Sequence, residues 1–386
     1  MSAEKCARWR TMLSNRKRNS TRGKCVITNS EIEHILRNDS LISEVLSNQP
    51  SFDKEKFFQL YFDISQSIPV KWFEDLRSGD DRGEQFNNLP VLSCLTVRAR
   101  HKIWIDVPRT FMAFTTGEHA HPSYSALLAD IKVLDRFLAI LCRTLCASSA
   151  MLEGRYCQGM SFIAASYILY FEVLLRPSMK DVAGETSSSH SRNDNGGWGQ
   201  QALFSAAYHY LILEKYKLGD IYVKENALTR YISAFEIYLQ SPVLAVKNEN
   251  MSRKLSALYS HLEQNGMNVQ YFIVQWFGAG YVLNVSAELL IFFQEISLYS
   301  SDGEHTVEPM MRLGLSILWA LADELMLLRD FESLYMCLKN RTKELHPADI
   351  ADVYFLFDLK KSRLSGVKKE RNLNVETETC SSCTVS

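Results

Sequence analysis

The chain has 386 residues, 46% of them apolar and 23% charged, with a formal net charge of −1. That length holds one large domain or two ordinary ones, and the near-neutral balance excludes the global positive field of a nucleic-acid binder. Seventeen glycines and nine prolines are few for the length, and with many Leu, Ala and Ile they favour helices over short strands.

Residues 1–30 read as a basic arm: Lys5, Arg8, Arg10, Arg16, Lys17, Arg18, Arg22 and Lys24 stand against Glu4 up to residue 25. Such a run is a solvated, flexible arm more often than an acidic-lipid contact or a transit peptide. A helical lead-in over 31–88 starts near "NSEIEHILRN" and continues through "DKEKFFQLYFDI", with Asp53 as N-cap. "RSGDDRGEQFNN", 77–88, reads as a loop by composition. In "KIWIDVPRTF", 102–111, Ile103, Trp104 and Ile105 look buried. Pro108 cannot continue a helix begun before it, so it marks a turn or a new helix start.

"HPSYSALLADIKVLDRFLAILCRTL" keeps apolar residues at helical spacing, with Pro122 near its start. "GRYCQGMSFIAAS", 154–166, opens an apolar helix on a first turn of Arg155, Tyr156, Cys157 and Gln158. "MSFIAASYILYFEVLL" is too short for a membrane span and contains Glu172, so it reads as a buried helix. The polar, Gly/Ser-rich stretch 184–201 reads as a disordered insertion. Eight further helical segments follow, from "ALFSAAYHYLILEKY" to "ADIADVYFLFDLKK". The expected fold is all-α, a single large multi-helix domain with flexible termini. No fixed-period repeat points to a solenoid.

Nine scattered cysteines with no signal peptide suggest reduced thiols in the cytosol. Cys157 as a nucleophile needs a base and an oxyanion hole that sequence cannot place beside it, so a small apolar filler is the plainer reading. His119 and His121 in "EHAH", and Cys380 and Cys383 in "CSSC", lack a second pair at zinc spacing, so no metal site is expected. Asp106 and Arg109 stand three apart, near enough to pair and hold the planar guanidinium fork. From these residues alone a structural pair at a helix end is the plainer reading.

Two stretches together change that balance. Ile103-x-x-Asp106-x-x-Arg109-Thr110, followed about fifty residues later by Tyr156-x-Gln158-Gly159-Met160, resembles the TBC domain, the family of Rab GTPase-activating proteins. The similarity extends over "LADIKVLDRFLAIL", the Trp276–Phe277 pair and "LGLSILWALADELMLLRDFESLYMCLK". It assigns 89–345 to a TBC domain. The resemblance implies that Arg109 and Gln158 are catalytic fingers supplied in trans to a Rab-family GTPase in its GTP state. Such a protein activates another's chemistry and is not itself the enzyme. It needs no cofactor of its own, since GTP and Mg²⁺ come with the GTPase. The resemblance further implies that Asp106 steadies Arg109, that Thr110 completes the first motif, and that Tyr156 lines the GTPase contact. Gly159 would let the partner backbone approach closely. The expected location is the cytoplasm, peripheral on endomembranes in vesicle traffic. Two departures stand out: "SIPVKWFEDLRSG" echoes the family's opening stretch only loosely, and Gln294 lies where an Asp is usual. A non-catalytic Rab-binding scaffold and a helical adaptor are the rival readings.

The segment 346–386 reads as a helix and a basic tail. Cys383-Thr384-Val385-Ser386 fits a C-a-a-X box with farnesyl preference, and Cys380 is a candidate palmitoyl site. One lipid binds marginally, so Lys360, Lys361, Arg363, Lys368, Lys369 and Arg371 would supply the second signal for peripheral membrane contact. An unmodified tail that ends in Cys by chance is the alternative.

Overall fold

The computed structural model describes residues 54–115, 125, 128–174, 221, 226–299 and 308–359. The basic arm, "NSEIEHILRN", Asp53, Pro122, His119 and His121, the 184–201 stretch, "ALFSAAYHYLILEKY", and the tail with Cys380 and Cys383 lie outside the described residues. The described chain is all-α. Its helices are α1 (Lys54–Ser67), α2 (Lys71–Arg77), α3 (Gly83–Asn87), α4 (Val97–Thr115), α5 (Ile131–Met151) and α6 (Gly159–Leu174). Then come α7 (Ala227–Gln240), α8 (Glu249–Gln264), α9 (Gln270–Gly278), α10 (Ala287–Tyr299), α11 (Glu308–Leu325), α12 (Phe331–Arg341) and α13 (Pro347–Tyr354). Val246 and Phe357 form an isolated antiparallel bridge.

Two apolar helices organise the packing. α5 is buried almost all round from Phe137 to Ser149 and packs against α1, α2, α4 and α6. α11 is buried from Pro309 to Leu318 and packs against α8, α9, α10, α12 and α13. A helix apolar on every face can be satisfied only in the middle of other helices. α6 touches both groups. Its Ile163 lies against Gly280, where an added Cβ would meet it at 3.1 Å, and its Ser166 Oγ accepts from Gln294 Nε2 at 2.6 Å. Gln294, the departure in the second half of the chain, is thus a buried bond to α6. Among the described residues no helix is long and apolar enough to cross a membrane, and no cluster of metal-ligating side chains occurs.

Several sequence expectations are corrected. α4 runs straight through Pro108 instead of turning there. A helix-interior proline costs about 3 kcal/mol, but Ala99, Ile103, Trp104, Val107 and Phe114 are buried along one face of α4. At about 1.5–3 kcal/mol for each large apolar side chain, burial outweighs the proline. The stretch 77–88 is not all loop. It contains α3, and Asp81 Oδ1 accepts from Trp104 Nε1 at 2.8 Å and from Gly83 N at 2.8 Å. Phe73 and Phe86 pack on the same indole, with ring centroids 5.6 and 5.1 Å away. α5 starts at Ile131, capped by Asp130, whose side chain accepts from Lys132 N. α9 stops at Gly278, because Tyr281 takes a left-handed backbone (φ 65°) and sends its hydroxyl to Met310 O at 2.8 Å. α13 stops at Tyr354, because the chain beyond it joins the 245–246 segment through Asp358 N–H to Ala245 O at 2.7 Å.

Candidate functional site

The site is built where α4 meets the segment that enters α6. The α4 register places Asp106, Val107 and Thr110 inward, while Arg109 points out. Arg109's side chain is 70% exposed, and its Nη1 lies 3.9 Å from Asp106 Oδ1. One long contact is not the fork that the spacing suggested. A single long contact to a guanidinium that lies in water contributes little, so Asp106 tethers Arg109 loosely and leaves the guanidinium free to reach outward.

Asp106 is held from the other side. Tyr156 donates its hydroxyl to Asp106 Oδ2 at 3.0 Å. Burial pushes the Asp106 carboxyl above its ordinary value, while the Tyr156 hydrogen bond, Arg109 and Lys102 pull it back. The Tyr156 phenol is pushed well up, first by burial and then by the Asp106 charge. It therefore stays a proton donor throughout the physiological range. Tyr156 is half-buried and packs against the core with Cys157. The Cys157 thiol is free, and its N–H faces Met160 Sδ at 3.4 Å.

A second bridge joins Thr110, the residue after Arg109, to Ser161, three residues after Gln158. Thr110 Oγ1 is 2.8 Å from Ser161 Oγ and 2.7 Å from Asp106 O. Ser161 Oγ is in turn 2.8 Å from the carbonyl oxygen of Gln158. Two hydroxyl protons serve these three contacts, so the group forms a short chain with one contact undonated at any instant.

Gln158 is exposed and immediately precedes α6 instead of lying in its first turn. Gly159 is the first helical residue. The entering loop is pinned at Gly154. Its backbone is left-handed (φ 74°), and an added Cβ would sit 2.3 Å from Cys94 O. Gly154 N–H closes the end of α5 on Ser149 O at 2.9 Å. Gly154 O accepts from Thr96 N at 3.3 Å, and Thr96 Oγ1 caps α4 by accepting from Ala99 N at 3.1 Å. The start of the arginine helix and the start of the glutamine loop are therefore joined through Thr96.

The structure thus brings Asp106, Arg109, Thr110, Tyr156, Gln158 and Gly159 into one region. Sequence reasoning missed Ser161, which reads as one more member of an apolar helix. It also missed Gly154, which had a legible signal: a glycine just past the end of a long helix.

This arrangement is that of a module presenting a cation and an amide outward from a rigid helical base. The Rab-GTPase-TBC domain family model matches residues 96–326, and the chain belongs to that family. The crystal structure of the Chlamydomonas flagellar RabGAP TBC domain is similar at 12% identity, covering 91% of this chain and 95% of that one, with a TM-score of 0.43. The crystal structure of the Ypt/Rab-GAP domain of Gyp1p is similar at 15% identity, covering 78% and 97%, also with a TM-score of 0.43. Comparison with curated proteins gives no match.

Proposed function

We propose that this protein accelerates GTP hydrolysis on a Rab-family GTPase, with Arg109 as an arginine finger and Gln158 as a glutamine finger. The observation that carries the reading is the outward exposure of both side chains from two segments locked together beneath them, in a chain of the Rab-GTPase-TBC family.

Hydrolysis spreads negative charge over the γ-phosphoryl oxygens and the leaving oxygen. A guanidinium brought from outside neutralises that charge in a site closed to water. Such a finger contributes roughly 10³ to 10⁵ in rate, or about 4–7 kcal/mol. The Gln158 amide can donate to and accept from the attacking water while remaining uncharged. Both GTP and Mg²⁺ belong to the GTPase. The protein acts in the cytoplasm, at the surface of the membrane that carries its GTPase in the GTP state.

The test is single-turnover GTP hydrolysis by a panel of recombinant Rab GTPases, with wild type, Arg109→Ala and Gln158→Ala. Acceleration of at least one GTPase by wild type, lost in each variant, is the expected result. A GTPase that binds in its GTP form but is not accelerated favours the scaffold reading instead.

A further inference from the structure

Beneath the two exposed fingers lies a hydroxyl that touches both of their segments. Ser161 is fully buried on the first turns of α6. Its Oγ is 2.8 Å from Gln158 O, the carbonyl of the glutamine finger itself. The same atom is 2.8 Å from Thr110 Oγ1, on the residue that follows the arginine finger. It also interacts with the Tyr156 hydroxyl, which holds Asp106. No other side chain on the described segments makes all three of these contacts.

We infer that Ser161 is a positioning residue for the reaction, fixing the peptide of Gln158 relative to the arginine helix through Thr110. This rests on the finger reading above. Gln158 precedes the helix, so its carbonyl but not its N–H joins the helical hydrogen bonds. Its carbonyl is held by Ser161 N–H at 3.1 Å and by the Ser161 hydroxyl at 2.8 Å. The second contact is the one tied to α4. Removing it frees the Gln158 peptide to rotate against Arg109 while both side chains stay exposed. An error of about 1 Å at a reacting centre costs about 10²-fold in rate, so a small rotation suffices.

Ser161→Ala strands no partner. Gln158 O keeps the Ser161 N–H, and Thr110 Oγ1 keeps Asp106 O. The variant therefore folds, and its effect is read in the chemistry. The experiment uses the full chain and the Rab GTPase that wild type accelerates most, with kcat and KM for the GTP-loaded GTPase measured separately. Arg109→Ala and Gln158→Ala are run alongside.

Ser161→Ala is expected to lower kcat about 10- to 100-fold with KM unchanged. Thr110→Val, which keeps the shape and loses the hydroxyl, lowers it similarly, and Thr110→Ser restores it. The double variant Ser161→Ala/Thr110→Val is no worse than the poorer single one, because both remove one contact. An unchanged kcat in Ser161→Ala, a loss confined to KM, or a multiplicative loss in the double variant overturns the inference while the fingers stand. If Arg109→Ala and Gln158→Ala lose nothing, the finger reading falls and this inference falls with it. Thermal unfolding of each variant checks folding, and should Ser161→Ala not fold, Thr110→Val against Thr110→Ser decides.

Discussion

Tyr156 and Asp106 lie 50 residues apart in sequence, yet the phenol donates directly to the carboxylate at 3.0 Å. The bond ties a loop residue to the buried base of the arginine helix. Asp106 has no equally short contact with Arg109, which stands at 3.9 Å. The carboxylate is therefore oriented from beneath, by the tyrosine.

Tyr156→Phe removes that donor and leaves a buried acceptor without its best partner. A stranded buried acceptor costs about 1–3 kcal/mol. Chemical denaturation is expected to show a loss in that range. The Asp106 carboxyl should move further up, since the bond that lowers it is gone. A variant as stable as wild type speaks against the bond.

The pH dependence of stability has a definite sign. Asp106 is raised in the fold, chiefly by burial, so the native state favours its protonated form. That contribution is fully present below the ordinary carboxylate value and is lost as pH rises through the raised one. Asp106→Asn removes the dependence. Measured in parallel from acid to neutral pH, the variant's melting temperature gains on wild type as pH rises. The variant still accepts from Tyr156 through its amide oxygen, but it loses the charge opposite Arg109, and its GTPase activation falls.

Gly154→Ala and Gly79→Ala form a matched pair. Both sites are left-handed, which costs an L-residue roughly 1–2 kcal/mol. At Gly79 an added Cβ meets nothing within 4 Å, whereas at Gly154 it meets Cys94 O at 2.3 Å. Gly79→Ala should lose only the backbone term and keep its activation of the GTPase. Gly154→Ala should lose more stability and also activation, because the loop carrying Gln158 must shift. Equal losses in unfolding experiments would remove the close approach from the account.

Pro108→Ala tests the balance struck in α4. Alanine restores a main-chain donor inside a continuous helix. Proline is about 3 kcal/mol less favourable than Ala in a helix interior, offset by about 0.4–1 kcal/mol from its stiffer unfolded chain. The variant should unfold at a higher temperature, and a lower melting point would mean the ring itself packs productively.

How much of this was readable depends on which interactions set each feature. α8, α10, α11 and α12 follow their apolar periodicity to within a residue or a few at each end. Arg109 and Gln158 were legible only through two short motifs, since nothing local says that residues 49 apart converge. The misreadings share one cause, a distant partner. Pro108 sits in a helix because that helix has a buried face, and Asp81 looks like loop polarity until Trp104 is seen to donate to it. Ser161 looked like filler because its partners, Thr110 and Gln158 O, become neighbours only when α4 and α6 pack.

The contact of Thr96 N–H with Gly154 O has a consequence for chain length. The spacing of Arg109 and Gln158 is set by contacts through space and not along the polypeptide. Residues added to the connection between Thr115 and Asp130 lengthen a stretch whose flanking helices, α4 and α5, already pack together. Closing a longer loop costs only about 0.6 kcal/mol for each doubling. Inserts there should leave the separation of Arg109 and Gln158 untouched, whereas one residue inserted between Gly154 and Gln158 should shift Gln158 against Arg109.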